Sequence, residues 1–227
     1  MMKKRRPKMY QGFSLIEMLI TITILGFVML LCATVLNSLI KVSTIAEYKN
    51  TTRNDVNFIT EFSKRALGNA SLENIYLYDT YGVREYNSER GEMVDENPTA
   101  VTTAYSAVGL ESGTEIHVRV YGYDRWTCIG YFKDSENDDK SYILKTSTQS
   151  RNNPEDCFDD TIPMQLNSEI VTINDFKVST VELTGGNILF TLDVAAEPMF
   201  WPVGENIPVT REITKQITVR TQGLTWY

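Results

Sequence analysis

The chain has 227 residues, of which 42% are hydrophobic and 22% are charged, and its formal net charge is −7. This length and apolar content are sufficient for one well-buried core. The acidic balance does not favour nonspecific adhesion to nucleic acid, which requires basic surface, and it discourages binding to anionic lipid. A single histidine and the absence of a CxxC pair argue against a zinc site.

A membrane-length apolar segment follows a short basic leader. Residues 18–40 carry no formal charge, and five basic residues precede them: Lys3, Lys4, Arg5, Arg6 and Lys8. A helix of this length spans about 34 Å, which is enough to cross the hydrocarbon core of a bilayer. Because basic flanks stay on the cytoplasmic side, we expect the N-terminus in the cytoplasm and residues 41–227 across the membrane.

Three ordinary targeting segments are alternative interpretations. A cleavable secretory signal would have a shorter apolar run and a small-x-small cleavage site, and Leu31-Cys32-Ala33 is a poor site. A lipoprotein signal would have a small residue where Leu31 stands. A plain signal anchor would leave Glu17 without a task, although an unpaired charge at the membrane boundary costs about 2.5 kcal/mol or more.

Residues 12–19, with the sequence GFSLIEML, carry a specific resemblance. They resemble the class III signal of type IV pilins and type II secretion pseudopilins, in which a membrane aspartyl peptidase cuts after the glycine and methylates the new N-terminus. The resemblance implies cleavage between Gly12 and Phe13, N-methylation of Phe13, and Glu17 as the fifth residue of the mature chain. Loss of the five basic leader residues would change the net charge from −7 to −12.

Glu17 is the candidate assembly residue. In the mature chain its carboxylate and the amine of Phe13 would both lie in a low-dielectric layer, where unpaired charges are costly. A neighbouring subunit can place its amine against this carboxylate, and the attraction is much stronger there than in water. Such pairing would also set the axial step between subunits. The alternative is a juxtamembrane side chain that extends to the lipid headgroups.

Helical periodicity continues beyond the membrane segment. Apolar or small residues recur at gaps of three and four, which predicts a helix: Ile45, Tyr48, Thr52, Val56, Ile59, Phe62 and Ala66. Gly68 is a candidate C′ residue, the first residue after the helix. We therefore predict a leader at 1–12, a transmembrane or filament-core helix at 13–40, its amphipathic continuation at 41–68, and an exported β-rich head at 69–227.

The head is predicted from alternating segments. Residues 79–113 are expected to be mostly loop with short strands or turns, and residues 195–208, which contain three prolines, to be a loop. Residues 134–140 predict a polar turn and residues 184–187 a hairpin turn. Strands are predicted at 75–78, 115–121, 127–132, 142–146, 170–176, 177–183, 188–194 and 211–221. On the last of these, Ile213, Gln216 or Ile217, and Val219 are expected to alternate imperfectly with Lys215, Thr218 and Arg220 on the other side. A long helix on a mostly antiparallel sheet is an α+β fold, which the pilin resemblance also implies.

The cysteines suggest one crosslink. Cys128 and Cys157 lie 29 residues apart in the exported part, and two thiols in an oxidising exterior predict a disulfide. Cys32 lies in the apolar segment and is interpreted as a small buried hydrophobic residue.

No enzyme motif is found, so we predict no catalytic residue, no cofactor and no resident metal. His117 lies in an alternating strand, which favours a packed or hydrogen-bonded imidazole.

A weak calcium candidate is the oxygen-rich group Asp134, Glu136, Asp138 and Asp139, with a solvated acidic loop as the alternative. Eight aromatic residues fit either a core or a binding face: Tyr121, Tyr123, Trp126, Tyr131, Phe200, Trp201, Trp226 and Tyr227.

The expected function is that of a minor pilin or pseudopilin. The large head, the mid-chain cysteine pair and the absence of a proline after the first turns of the helix resemble PilW-type minor pilins and J-type pseudopilins. The resemblance implies single-pass insertion in the inner (cytoplasmic) membrane with the head outside, followed by an extracellular or periplasmic filament. The head would serve assembly priming, adhesion, secretion or DNA uptake.

The resemblance also implies the partners. They are other pilins or pseudopilins, the prepilin peptidase, the membrane before assembly, and indirectly the assembly platform and its ATPase motor; nucleic acid is not indicated. Two alternatives stay open at this point: a membrane-anchored extracellular binding domain that never polymerises, and an anchored enzyme.

Overall fold

A computed structural model describes Gly12 and residues 14–79, 84–95, 105–106, 112–149, 157–158, 162–183, 187–201 and 211–221. Within these residues, a long helix α1 (Leu15–Gly68) precedes twelve strands. The strands are β1 (Ala70–Tyr78), β2 (Arg84–Asn87), β3 (Glu92–Asp95), β4 (Tyr105–Ser106), β5 (Ser112–Gly113), β6 (Glu115–Val120), β7 (Arg125–Asp134), β8 (Ser141–Gln149), β9 (Met164–Gln165), β10 (Val171–Leu183), β11 (Asn187–Pro198) and β12 (Ile213–Arg220).

The chain divides into two units between Ile45 and Ala46. The first unit contains the apolar part of α1, whose large side chains are exposed from Leu15 to Val42. Hydroxyl groups in this part donate to backbone carbonyls about one turn earlier, as Thr21 and Thr23 do, so they need no outside partner in lipid. In the described part of the chain, α1 is the one helix long and apolar enough to cross a membrane, judged by length and composition.

The second unit contains the rest of α1, whose buried face follows the predicted stripe. Thr52, Val56, Ile59 and Ala66 are buried as expected, and the buried face is widened by Thr60, Ser63 and Leu67. The prediction of Gly68 as the residue after the helix is wrong by one position. Gly68 is the last helical residue, and the amide of Asn69 still donates to the carbonyl of Arg65 at 3.2 Å.

Two sheets follow. The first has eight strands in the order β3-β2-β7-β6-β1-β4, with β8 also paired to β7 and β9 to β8. Its pairs are antiparallel except the short β2–β7 pair. The second has the order β12-β11-β10-β5 and is antiparallel throughout. One long helix with mostly antiparallel sheets confirms the predicted α+β, pilin-like architecture.

The first sheet is covered on both faces. Alternate residues of a strand point to opposite faces, so on β7 Ile129 and Tyr131 join the larger core, which includes α1 and the second sheet. Cys128 and Phe132 point the other way, into an aromatic cluster: Tyr86, Trp126, Cys128, Phe132, Tyr142, Leu144, Cys157 and Phe158. Gly130 lies on that face, and a Cβ there would come within 2.5 Å of the Phe132 ring.

Three strand predictions need correction. Residues 170–176 and 177–183 form one strand, β10, whose register shifts between Ile173 and Asp175. Ala195 to Pro198, predicted as loop, pair with β10 as the end of β11. A proline is tolerated at Pro198 because, at the end of a strand, its missing N–H removes few hydrogen bonds between strands. On β12, Lys215 lies on the half-buried side with Ile213 and Ile217, whereas it was predicted on the opposite side.

The expected loops and turns are partly described. Short strands do occur within 79–113. The polar turn predicted at 134–140 does connect β7 to β8, except that Asp134 is the last residue of β7. Leu183 pairs with Asn187, so β10 and β11 form the predicted hairpin, although residues 184–186 lie outside the described part. Residues 202–208 of the proline-rich loop also lie outside it.

Polar contacts join α1 to the β-sheets within the second unit. The Asp55 carboxylate accepts hydrogen bonds from the Ser168 amide at 2.8 Å and from its hydroxyl at 2.5 Å. Lys215 Nζ donates to Asn57 Oδ1 at 2.8 Å, so the inner side of β12 also contacts α1. The first contact holds α1 beside the segment that leads into β10, and the second holds it beside β12.

Asp55→Ala is expected to destabilise the second unit by about 1.5–3 kcal/mol, because hydrogen bonds to a charged group contribute about that much. Urea denaturation of the full chain in detergent measures the change. Glu61→Ala is the matched control: its carboxylate is half-exposed and lies 3.9 Å from Lys64, and an exposed pair of this kind contributes about 0.3–0.5 kcal/mol. Equal urea denaturation midpoints for the two variants would contradict a stabilising role for the Asp55–Ser168 hydrogen bonds.

Candidate processing and assembly site

Helix α1 begins with a capping box at Ser14. The backbone N–H of Glu17 donates to Ser14 Oγ at 3.3 Å, and the N–H of Ser14 donates to Glu17 Oε2 at 2.9 Å. The amide of Met18 then makes the first helical bond to the carbonyl of Ser14. This reciprocal pair satisfies two backbone donors that otherwise have no partner at a helix start.

The carboxylate of Glu17 is therefore held at the N-terminus of α1. It lies in the first turn, where the helix dipole favours a negative charge. Gly12 precedes the helix and is exposed. Phe13 lies outside the described residues, so cleavage between Gly12 and Phe13, and methylation of Phe13, stay predictions.

In the second unit, a disulfide joins Cys128 of β7 to Cys157, with 6.4 Å between their Cα atoms. Both cysteines are fully buried in the aromatic cluster. Phe158, the next residue, packs edge-to-face on Phe132 with 4.9 Å between ring centroids. The crosslink therefore fixes residues 157–158 over the outer face of the first sheet.

His117 lies beside this disulfide and is buried, as a packed imidazole is expected to be. Its Nε2 is 2.5 Å from Glu115 Oε1, and both side chains are 1% exposed. A ring nitrogen of His117 and the sulfurs of Cys128 and Cys157 lie within 4.8 Å of one another, the one such group of potential metal ligands in the described part of the chain. Because the two sulfurs are bonded to each other, they are not available as thiolates.

Two acidic residues near the β7–β8 turn, Asp134 and Glu136, have protein partners. Asp134 is buried, and its carboxylate accepts hydrogen bonds from the Ser88 hydroxyl at 2.7 Å and from the Glu136 amide at 3.1 Å. Glu136 in turn accepts from the Asn87 amide group at 3.0 Å. These bonds order the turn against the β2–β3 hairpin, and calcium binding at Asp134, Glu136, Asp138 and Asp139 stays an untested prediction.

Burial of Tyr86 has an electrostatic effect near this turn. Removal from water raises the pKa of the Tyr86 phenol, and the neighbouring Tyr142 and Asp134 raise this pKa further. The phenol of Tyr86 therefore stays neutral up to a higher pH than the phenol of an ordinary tyrosine does.

The remaining residues of interest divide by exposure. Trp126 and Tyr131 are buried in the two cores, whereas Tyr121, Tyr123 and Phe200 are exposed. The core interpretation therefore applies to Trp126 and Tyr131, and a binding face formed by the exposed aromatic residues stays a prediction. Trp201 is half-buried, and Trp226 and Tyr227 lie outside the described residues. Cys32 was interpreted as buried but is exposed, because no other described part of the chain covers the apolar part of α1.

Comparison with known proteins points to the N-terminal segment. Residues 7–33 match the family model of the prokaryotic N-terminal methylation motif. This motif supports a type IV pilin-like or pseudopilin-like protein that is processed by a prepilin peptidase, and proteins with it are generally structural. Together with the apolar helix, it is consistent with membrane anchoring through the N-terminus. No curated protein and no solved structure gives a significant match.

Ser14 is the residue of this site that the sequence analysis did not single out. A serine followed three residues later by a glutamate, just before an apolar run, is the sequence signature of a capping box. That signal is present in residues 12–17, GFSLIE.

Proposed function

We propose that the chain is a minor pilin or pseudopilin. It is inserted in the cytoplasmic membrane, cut between Gly12 and Phe13, N-methylated at Phe13, and assembled through α1 into a type IV filament. The match of residues 7–33 to the methylation motif, with an apolar helix starting inside the matched segment, is the observation that carries this proposal.

Exposed apolar surface on α1 supports the assembly role. From Leu15 to Val42 the helix presents large hydrophobic side chains that no other part of the described chain covers. Lipid covers them in the membrane, and neighbouring copies of α1 would cover them in a filament. Residues 13–40 are therefore proposed as the filament core, with 41–68 continuing the helix into the head at 69–227.

The charge at Glu17 supports the proposed register. Once the leader is removed, the new amine of Phe13 is a positive group four residues before Glu17. An amine from a neighbouring subunit placed against the Glu17 carboxylate neutralises both charges in a low-dielectric layer. The partners are thus other pilins or pseudopilins, and the head serves priming, adhesion, secretion or DNA uptake.

Mass spectrometry of the protein extracted from membranes tests the processing step. In cells with a prepilin peptidase, we expect a mature chain that begins at N-methylated Phe13. Gly12→Val should block the cut, because a side chain would stand at the position the peptidase requires to be glycine, and the precursor should accumulate as it does in a peptidase-deficient strain. An intact Met1 in the wild type, or a start near Ala33, would contradict pilin-type processing.

A further inference from the structure

We infer that Ser14 is a positioning residue for the Glu17 carboxylate. The capping box holds this carboxylate at the start of α1 in the unassembled subunit, so that it is presented to a neighbouring amine and does not turn away toward lipid headgroups. The inference rests on the proposed function and adds a second residue to its assembly site.

The geometry leaves one carboxylate oxygen for the neighbour. Glu17 Oε2 accepts the N–H of Ser14 at 2.9 Å, whereas Oε1 has no hydrogen-bond partner among the described residues. A carboxylate can accept about four hydrogen bonds through its two oxygens. The bond to Ser14 and a bond to an incoming amine can therefore exist together, and the first restricts where the second can form.

Restriction of the side chain favours binding. A free glutamate side chain has several rotamers, and ordering it during assembly would oppose association. In the capping box, the Ser14 hydroxyl accepts the N–H of Glu17 at 3.3 Å while the Glu17 carboxylate accepts the N–H of Ser14. The two bonds fix the first turn of α1 and the carboxylate together before a neighbour arrives.

Glu17 also needs the capping box before assembly. Its carboxylate stands at the edge of a segment of exposed apolar side chains that begins with Leu15 and Ile16. An unsatisfied charge there is costly, and a backbone N–H together with the positive end of the helix dipole offsets part of that cost. Ser14 therefore keeps Glu17 in place both in the unassembled subunit in the membrane and during association with a neighbouring subunit.

Filament incorporation of Ser14 variants tests the inference in the full-length protein. The readout is the amount of processed protein in sheared filaments divided by the amount in the membrane. Loss of an N-cap hydroxyl shifts the capping equilibrium about five-fold, so Ser14→Ala is expected to lower this ratio about five-fold with processing unchanged. Ser14→Thr, which keeps a hydroxyl that can cap, should restore it.

Hydrogen exchange of the Ser14 amide provides the second arm. In detergent micelles, we expect this N–H to be protected in the wild type and in Glu17→Gln, whose amide oxygen can still accept, and to lose protection in Glu17→Ala. Three results would each overturn the inference: incorporation of Ser14→Ala at the wild-type level, a loss of incorporation in Ser14→Thr equal to that in Ser14→Ala, or an unprotected Ser14 amide in the wild type. If the wild type itself is unprocessed or absent from filaments, the proposed function fails. The hydrogen-exchange measurement then still tests the capping box.

Discussion

Glu17→Gln is expected to remove the protein from sheared filaments almost completely while its level in the membrane stays unchanged. Glutamine has the same shape and keeps an oxygen that can accept the Ser14 N–H, so the start of α1 should survive. What would be lost is the negative charge that, in the proposed function, lies opposite the neighbour's amine. Truncating one partner of a desolvated charge pair costs about 2–5 kcal/mol, which is about a thirty-fold loss at the lower end.

A second glutamate on the same helix is the matched control. Glu47 is exposed and lies in the part of α1 that belongs to the second unit, so Glu47→Gln should leave incorporation unchanged. Quantitative immunoblots of sheared filaments and of membranes measure both variants. Normal incorporation of Glu17→Gln, and of Glu17→Ala, would show that Glu17 has no assembly role. Absence of the wild type itself from filaments would favour an anchored binding domain that does not polymerise.

Replacing both Cys128 and Cys157 by alanine is expected to cause the largest loss of stability. The disulfide closes a separation of 29 residues, and the loss of such a crosslink costs about 2–5 kcal/mol. The loss also frees residues 157–158, so Phe158 can leave Phe132 and the buried pair Glu115–His117 gains access to water. Urea denaturation of the full chain in detergent, followed by tryptophan fluorescence, measures the change.

Cys32→Ser provides the control for this experiment. Cys32 is exposed on the apolar part of α1 and is not bonded, so this variant should denature like the wild type. Treatment of the wild type with a thiol reductant should reproduce most of the effect of the double variant. An unchanged denaturation midpoint for the double alanine variant would show that the crosslink contributes little to the stability of the second unit.

The sequence alone determined the features that depend on local patterns. The class III signal, the charge-free segment and the three-and-four spacing predicted α1 almost to its last residue, because a helix is stabilised by contacts within a few positions along the chain. Strong alternation located strands such as β6 and β8 for the same reason. The disulfide was predicted from the presence of two exported cysteines, and Ser14 could have been found in the capping-box spacing.

Only the tertiary structure decided which strands meet and which faces are covered. Ala195 to Pro198 belong to β11 because β10 supplies their partners, and Lys215 lies on the inner side because its register with Val194 of β11 places it there. The second, aromatic face of the first sheet depends on Cys157 and Phe158, which come from far along the chain. Contacts of this kind join residues separated by tens of positions, and no local period in the sequence encodes them.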